Sequence, residues 1–185
     1  MRQSDSGRRD GIPNEKTGTK GNSHQGNSPL LTLITCGYKE INQTYDNIDH
    51  VIIEDLTPPA AFAEGVISSP NSFAYCFLDQ YSDFASSTVI EEIMQILCTH
   101  PELGGAYSDN IFNGYRQYYP SYFYESLQKV NIDTPFVCRK EVNVKFNTET
   151  PPIIPLMHYY EALKEMGTHT VLHHVPQPLF TINNI

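Results

Sequence analysis

Tryptophan is missing from this chain, no two of its cysteines form a C-x-x-C pair, and no apolar run approaches the roughly 18 residues that a membrane helix requires. Each absence removes a class of protein. The four cysteines (Cys36, Cys76, Cys98 and Cys138) are widely spaced, and three sit inside apolar runs where cysteine acts as a small hydrophobe. Neither a zinc site nor a disulfide framework is implied. The N-terminus lacks an apolar secretory segment, so a cytoplasmic protein without a membrane anchor is expected. There is no G-x-S-x-G elbow and no phosphate-cradling glycine loop; Gly104-Gly105 is a turn signal only. Cations are scarce as well, 12 Lys and Arg against 21 Asp and Glu, for a net charge of −9. A nucleic-acid binder needs a basic footprint to displace counterions from phosphates, so that class is set aside.

What is present divides the chain in two. Residues 1–28 are Gly, Ser, Asn, Lys and Arg with almost nothing apolar. They hold five cations (Arg2, Arg8, Arg9, Lys16, Lys20) and three anions, a net of +2, which leaves −11 on the remainder. Such a segment buries too little to offset the entropy of ordering, so on its own it is expected to be a flexible arm. A basic arm on an acidic body suits a protein partner, a homo-oligomer or a larger assembly such as a virion; a solvated tail is the plain alternative. Residues 29–185 are long enough for one core-forming domain. They are rich in Tyr and Phe, which suits a half-wet cleft or an interface.

Within that domain the pattern alternates. Leu30–Cys36, His50–Asp55, Phe73–Leu78, Gly105–Ser108, Thr134–Cys138 and Thr170–Val175 read as short strands, and Thr57-Pro58-Pro59 as the turn closing the second. Ser87–Cys98 reads as a helix with a capping box of Thr88 and Glu91 and an apolar face of Val89, Ile90, Ile93, Met94 and Leu97. Pro155–Met166 reads as a second helix, with Leu156, Tyr159, Tyr160 and Leu163 inward and Gly167 as its stop. The expected fold is α/β, a mostly parallel or mixed sheet with helices on both faces. Ligands of such sheets lie beyond the carboxyl ends of the strands. Four of those ends carry candidate groups: Gly37, Glu54-Asp55, Asp79 and Asp109.

Asp79-Gln-Tyr-Ser-Asp83 sets two carboxylates at a strand exit, ahead of a helix, where Mg²⁺ or Mn²⁺ could bridge them to substrate phosphates. The alternative is that Asp79 only ends the strand and Asp83 caps the helix after it. In order along the chain come an apolar strand with Gly37-Tyr38, then Val51-Ile-Ile-Glu-Asp55, then Phe77-Leu-Asp79-Gln80, a helix and Ala106-Tyr-Ser-Asp109. Pro135–Glu141, Lys145-Phe-Asn147 and His173–Phe180 come next. This order, over about residues 30–182, resembles family-2 glycosyltransferases of the GT-A (Rossmann-like) fold.

The resemblance implies a nucleotide sugar as ligand, a divalent metal as cofactor and transfer of the sugar to a hydroxyl acceptor. It implies Gly37 and Asp55 on the nucleotide, Asp79, Asp83 and His174 (or His173) on the metal and pyrophosphate, and Asp109 in the cleft. The family's acidic base belongs near Pro151–His158, where Glu149, His158 and Glu161 are the only titrating candidates. The stretch from the first strand to Asp79 is short for the family, so one helix–strand unit is expected to be missing or cut down. A binding or structural protein that keeps the fold without turnover is the second reading.

Overall fold

A computed structural model of the chain describes residues 28–121, 124–127, 129–142, 144–148 and 156–183. Residues 1–27 of the arm and the candidate base Glu149 lie outside them. The element order is β1 (Leu31–Cys36), β2 (Ile48–Ile53), α1 (Pro58–Ser68), β3 (Ala74–Leu78), β4 (Ser82–Phe84), α2 (Val89–Thr99), β5 (Leu103–Phe112), β6 (Tyr115–Gln117), α3 (Tyr124–Leu127), β7 (Phe136–Arg139), α4 (Met157–Met166) and β8 (Val171–Ile182). The strands form one mixed sheet in the order β2-β1-β3-β7-β5-β8-β4, with β6 paired to β5. Parallel pairing joins β1 to β2, β1 to β3 and β5 to β8. β7 enters antiparallel between β3 and β5, and β4 is antiparallel to β8.

Strand period 2 splits the core into two layers. Ile34, Tyr75, Phe77, Tyr107, Phe136 and Cys138 face one side, where Phe62 of α1 and Tyr159, Leu163 and Met166 of α4 cover them. Leu31, Leu33, Cys76, Leu78, Ala106 and Val137 face the other, under Val89, Ile90, Ile93, Met94 and Leu97 of α2. Helices on both faces of a mixed sheet make this an α/β Rossmann-like fold, as the alternating pattern predicts. None of the described helices is long and apolar enough to cross a membrane.

Several local expectations change. Thr57-Pro58-Pro59 does more than close β2: it opens α1, with Pro at the first helical positions, where a missing N–H costs nothing. The capping box on α2 does not form. Thr88 Oγ donates to Glu92 Oε1 at 2.6 Å, and Glu91 accepts from Thr44 Oγ at 2.6 Å. The α2 amides turn to a distant side chain instead, with Ile90 N–H donating to Gln43 Oε1 at 3.1 Å. In α4 the buried residues are His158, Tyr159, Ala162, Leu163 and Met166, whereas Tyr160 is only half-buried beneath Lys164. The strand expected over Gly105–Ser108 runs on to Phe112, and the one expected over Thr170–Val175 runs to Ile182. Between β1 and β2, residues 37–47 contain no helix.

α1 meets β1 at Gly65, where a Cβ would come within 2.5 Å of Ile34 Cγ2. Gly65→Ala should therefore destabilise by about 1–3 kcal/mol in urea unfolding, although alanine is the better helix former. In combination with Ile34→Ala, which removes Cγ2 and the other clashing atoms, the double variant should lose less than the sum of the two single changes.

Candidate functional site

The strand order reverses at β1, with β2 on one side and β3 on the other, and such a switch point opens a crevice beyond the strand ends. Gly37 makes the first turn out of β1 at φ +86°, a conformation open to glycine at no steric cost. Its N–H donates to Ile53 O at 3.1 Å and its carbonyl accepts Thr35 Oγ at 2.9 Å, so the turn is held from both sides. Asp55, just past β2, is exposed and also left-handed, at φ 63°. Together with Glu54, Leu56, Thr57 and Gln80 these residues line an open groove of about 540 Å³. The helix behind it, α1, begins on two prolines, so its N-terminus offers a phosphate fewer N–H donors than usual. Cys36 also lines the groove, its thiol pushed up to about 12 by burial and then by the charge of Asp79, which favours the protonated thiol near neutral pH.

Asp79 comes directly after β3 and has no exposed surface. Its Oδ1 accepts from Ser82 Oγ at 2.7 Å and Tyr81 N–H at 3.1 Å, which folds the chain back into β4. Its own N–H donates to Tyr159 Oη at 2.7 Å. Oδ2 lies 3.4 Å from Nε2 of His158, on the first turn of α4. Asp83 is elsewhere: it is exposed in β4, caps Phe84 N–H at 2.7 Å, and lines a separate hollow with Glu40, Asn42, Gln43 and Ser86.

Asp109 lies inside β5 and does not end it, because a bulge where β8 passes Pro176 and Gln177 breaks the register there. Its carboxylate gathers three elements: Arg116 Nη2 of β6 at 3.0 Å, Tyr119 N–H at 3.0 Å and His174 Nε2 of β8 at 2.9 Å. Burial pushes the carboxyl up, but these three donors together outweigh it and hold it below its ordinary value. Arg116 also donates to the Pro176 carbonyl at 2.9 Å. The neighbouring His173 belongs to the opposite face of the strand; burial, then His100 and His174, lower its basicity. Glu161 is exposed on α4.

The structure thus brings Gly37 and Asp55 to one groove, Asp79 to His158, and Asp109 to His174, but Asp79, Asp83 and His174 do not share a site. Among the described residues no cluster of three or more His, Cys, Asp or Glu side chains could hold a metal ion. Asp79 is fully buried, its Oδ1 accepts from Ser82 and Tyr81 and its Oδ2 faces the His158 ring at 3.4 Å, with no room for the waters such an ion keeps, so these positions do not fit the divalent ion that the resemblance implies. No family model matches the chain, and no curated protein is significantly similar to it. The glycosyltransferase likeness therefore stands on the order of its residues alone.

Arg116, Tyr119 and Tyr159 carry much of this geometry, and no motif in the sequence marks them as polar groups of a site. Tyr159 is legible as a core residue, but its hydroxyl partner is 80 residues away. Arg116 lies in an aromatic segment with no periodic signal.

Asp109→Asn should lower stability by about 1.5–3 kcal/mol at neutral pH in urea unfolding, since it removes the anion shared by His174 and by Arg116, whose half-exposed side chain water can still solvate. The folded carboxyl is held below its unfolded value, so its contribution is complete above the ordinary carboxylate range and is lost as pH falls through the folded value. The gap between wild type and variant should accordingly close on acidification below that range.

Proposed function

We propose that this domain binds a nucleotide-type ligand, the nucleoside end lying in the groove formed by Gly37, Asp55 and Gln80, and that it acts as a binding or scaffold protein on a glycosyltransferase-like fold without metal-assisted sugar transfer. One observation carries the reading: the acids that the likeness would gather in one cleft face three separate environments, Asp55 in the open groove, Asp79 in the core and Asp83 in another hollow. An exposed carboxylate just past the second strand of such a sheet is placed to accept hydrogen bonds from ribose hydroxyls or a base edge. Glu54 and Asp55 at the same lip disfavour a bare diphosphate there. The basic arm, residues 1–28, is the part of the chain we assign to an acidic protein partner or to assembly.

Sugar transfer with Mg²⁺ or Mn²⁺ is the second reading, and a specific feature favours it: Asp79 stands at the end of the strand where the family's metal-binding acid belongs, and its Oδ2 has no aligned hydrogen bond. It would need Asp79 to turn outward, and it lacks an acid at the first turn of α4, where Leu156, Met157 and His158 stand.

Thermal unfolding of the full chain against a panel of nucleosides, nucleoside diphosphates and nucleotide sugars tests the proposal. A ligand held by the native state alone stabilises by about 2.7 kcal/mol at a hundredfold excess over its dissociation constant. We expect a rise in midpoint with one nucleoside class, reduced by Asp55→Asn, a substitution that tolerates the left-handed backbone and removes the charge. No nucleotide sugar should be consumed. Turnover that disappears in Asp79→Asn would replace this reading with the enzymatic one, and no shift with any ligand would end it.

A further inference from the structure

A divalent ion that handles a diphosphate is held by carboxylate oxygens with free lone pairs and keeps several of its waters. Asp79 stands at the strand end where such an ion is expected, yet α4 has filled the space. Met157 and His158 open that helix, and the His158 ring lies between Tyr159, at 4.2 Å between ring centroids, and Phe62 of α1, at 5.7 Å. The Asp79 and His158 side chains are 1% and 4% exposed. Asp79 Oδ2 and both ring nitrogens of His158 have no aligned hydrogen-bond partner among the described residues. The nearest opposite group to each is the other, at 3.4 Å. A carboxylate shut away from water without a partner is strongly disfavoured, as is an unpartnered imidazole, so each makes the other's burial tolerable.

We infer that His158 takes the place of the metal: the carboxylate at the end of β3 is held by an imidazole from α4, and the domain engages its ligand without a divalent cation. The neighbouring groups fit this arrangement. Tyr159 Oη accepts the Asp79 N–H and fixes the backbone at the turn, while Ser82 and Tyr81 occupy the other carboxylate oxygen. The remaining titratable side chains close to Asp79 are Cys36 and Tyr159; burial, with the charge of Asp79, pushes both up, which leaves them uncharged near neutral pH.

The inference deepens the binding reading, and the two fail by different measurements. Binding of Mn²⁺ to the full chain is followed through the resonance signal of the free aqua ion, alongside thermal unfolding in EDTA and in excess Mn²⁺. We expect the free-ion signal to match that of buffer and the midpoint to be the same in both solutions. About one ion bound per chain, released by Asp79→Asn, would overturn the inference whether or not any nucleoside binds. Asp79→Asn, His158→Gln and the double variant form the complementary cycle. Each single change should lower the midpoint, and the double should lower it by less than the two together, because the second change removes the group the first left unpaired. Additive losses would show that the two side chains do not hold each other. Should a single variant fail to fold, the wild-type Mn²⁺ measurement still decides.

Discussion

A carboxylate with no exposed surface has to be matched by its surroundings, and the matching of Asp79 organises the centre of this domain. Asp79 closes β3, the strand between the parallel pair β1–β2 and the antiparallel β7. Its Oδ1 bends the chain into β4, its amide meets Tyr159, and its Oδ2 meets His158. One turn of α4 is thereby registered against one strand end. Below it, Tyr159 packs near Phe62 and edge-on to Phe136, so the polar contact and the aromatic core set the same helix position. Neither part is independent: a shift of α4 would break packing and strand the buried charge together.

Asp109 plays the corresponding part on the other half of the sheet. It ties β5 to the β5–β6 hairpin through Arg116, to the segment after β6 through the Tyr119 amide, and to β8 through His174. The bulge that admits Pro176 and Pro178 into β8 also frees the Pro176 carbonyl that Arg116 uses. Prolines are normally kept from interior ladders because they donate no hydrogen bond, and here the irregular register accommodates them. Two acids that the likeness to an enzyme family would place in a cleft thus act as internal fasteners, and the open surface at the strand ends is left to Gly37, Glu54, Asp55 and Gln80.

Much of the architecture was legible from pattern. Ala74–Leu78 is a continuous apolar run and Leu31–Cys36 is broken only by two buried threonines, because both faces are covered, and the apolar face of α2 that the pattern predicts is the one buried, Val89, Ile90, Ile93, Met94 and Leu97. What escapes a reading of the pattern are α1, which looks like a turn because Pro58-Pro59 is both a turn and a helix-start signal, and the four-residue α3 and three-residue strands β4 and β6, too short to show a period. The capping of α2 failed as a local reading because Gln43, 47 residues before Ile90, supplies the acceptor. For the site, the positions Gly37, Asp55 and Asp79 at strand ends were readable, but their directions were not.

The sequence by itself determined the layered α/β class, the acidic body behind a basic arm, and the strand exits at which polar groups gather, because hydrophobic period and turn chemistry act over a few residues. Only the tertiary structure decided which acids face water. Asp79 and Asp83 are four residues apart, yet one is sealed against His158 and the other is exposed, since the fate of each depends on β4 folding back onto β8 and on α4 arriving from about 80 residues away. Such pairings are set by the free energy of burying the whole core, a quantity that no short stretch of chain contains.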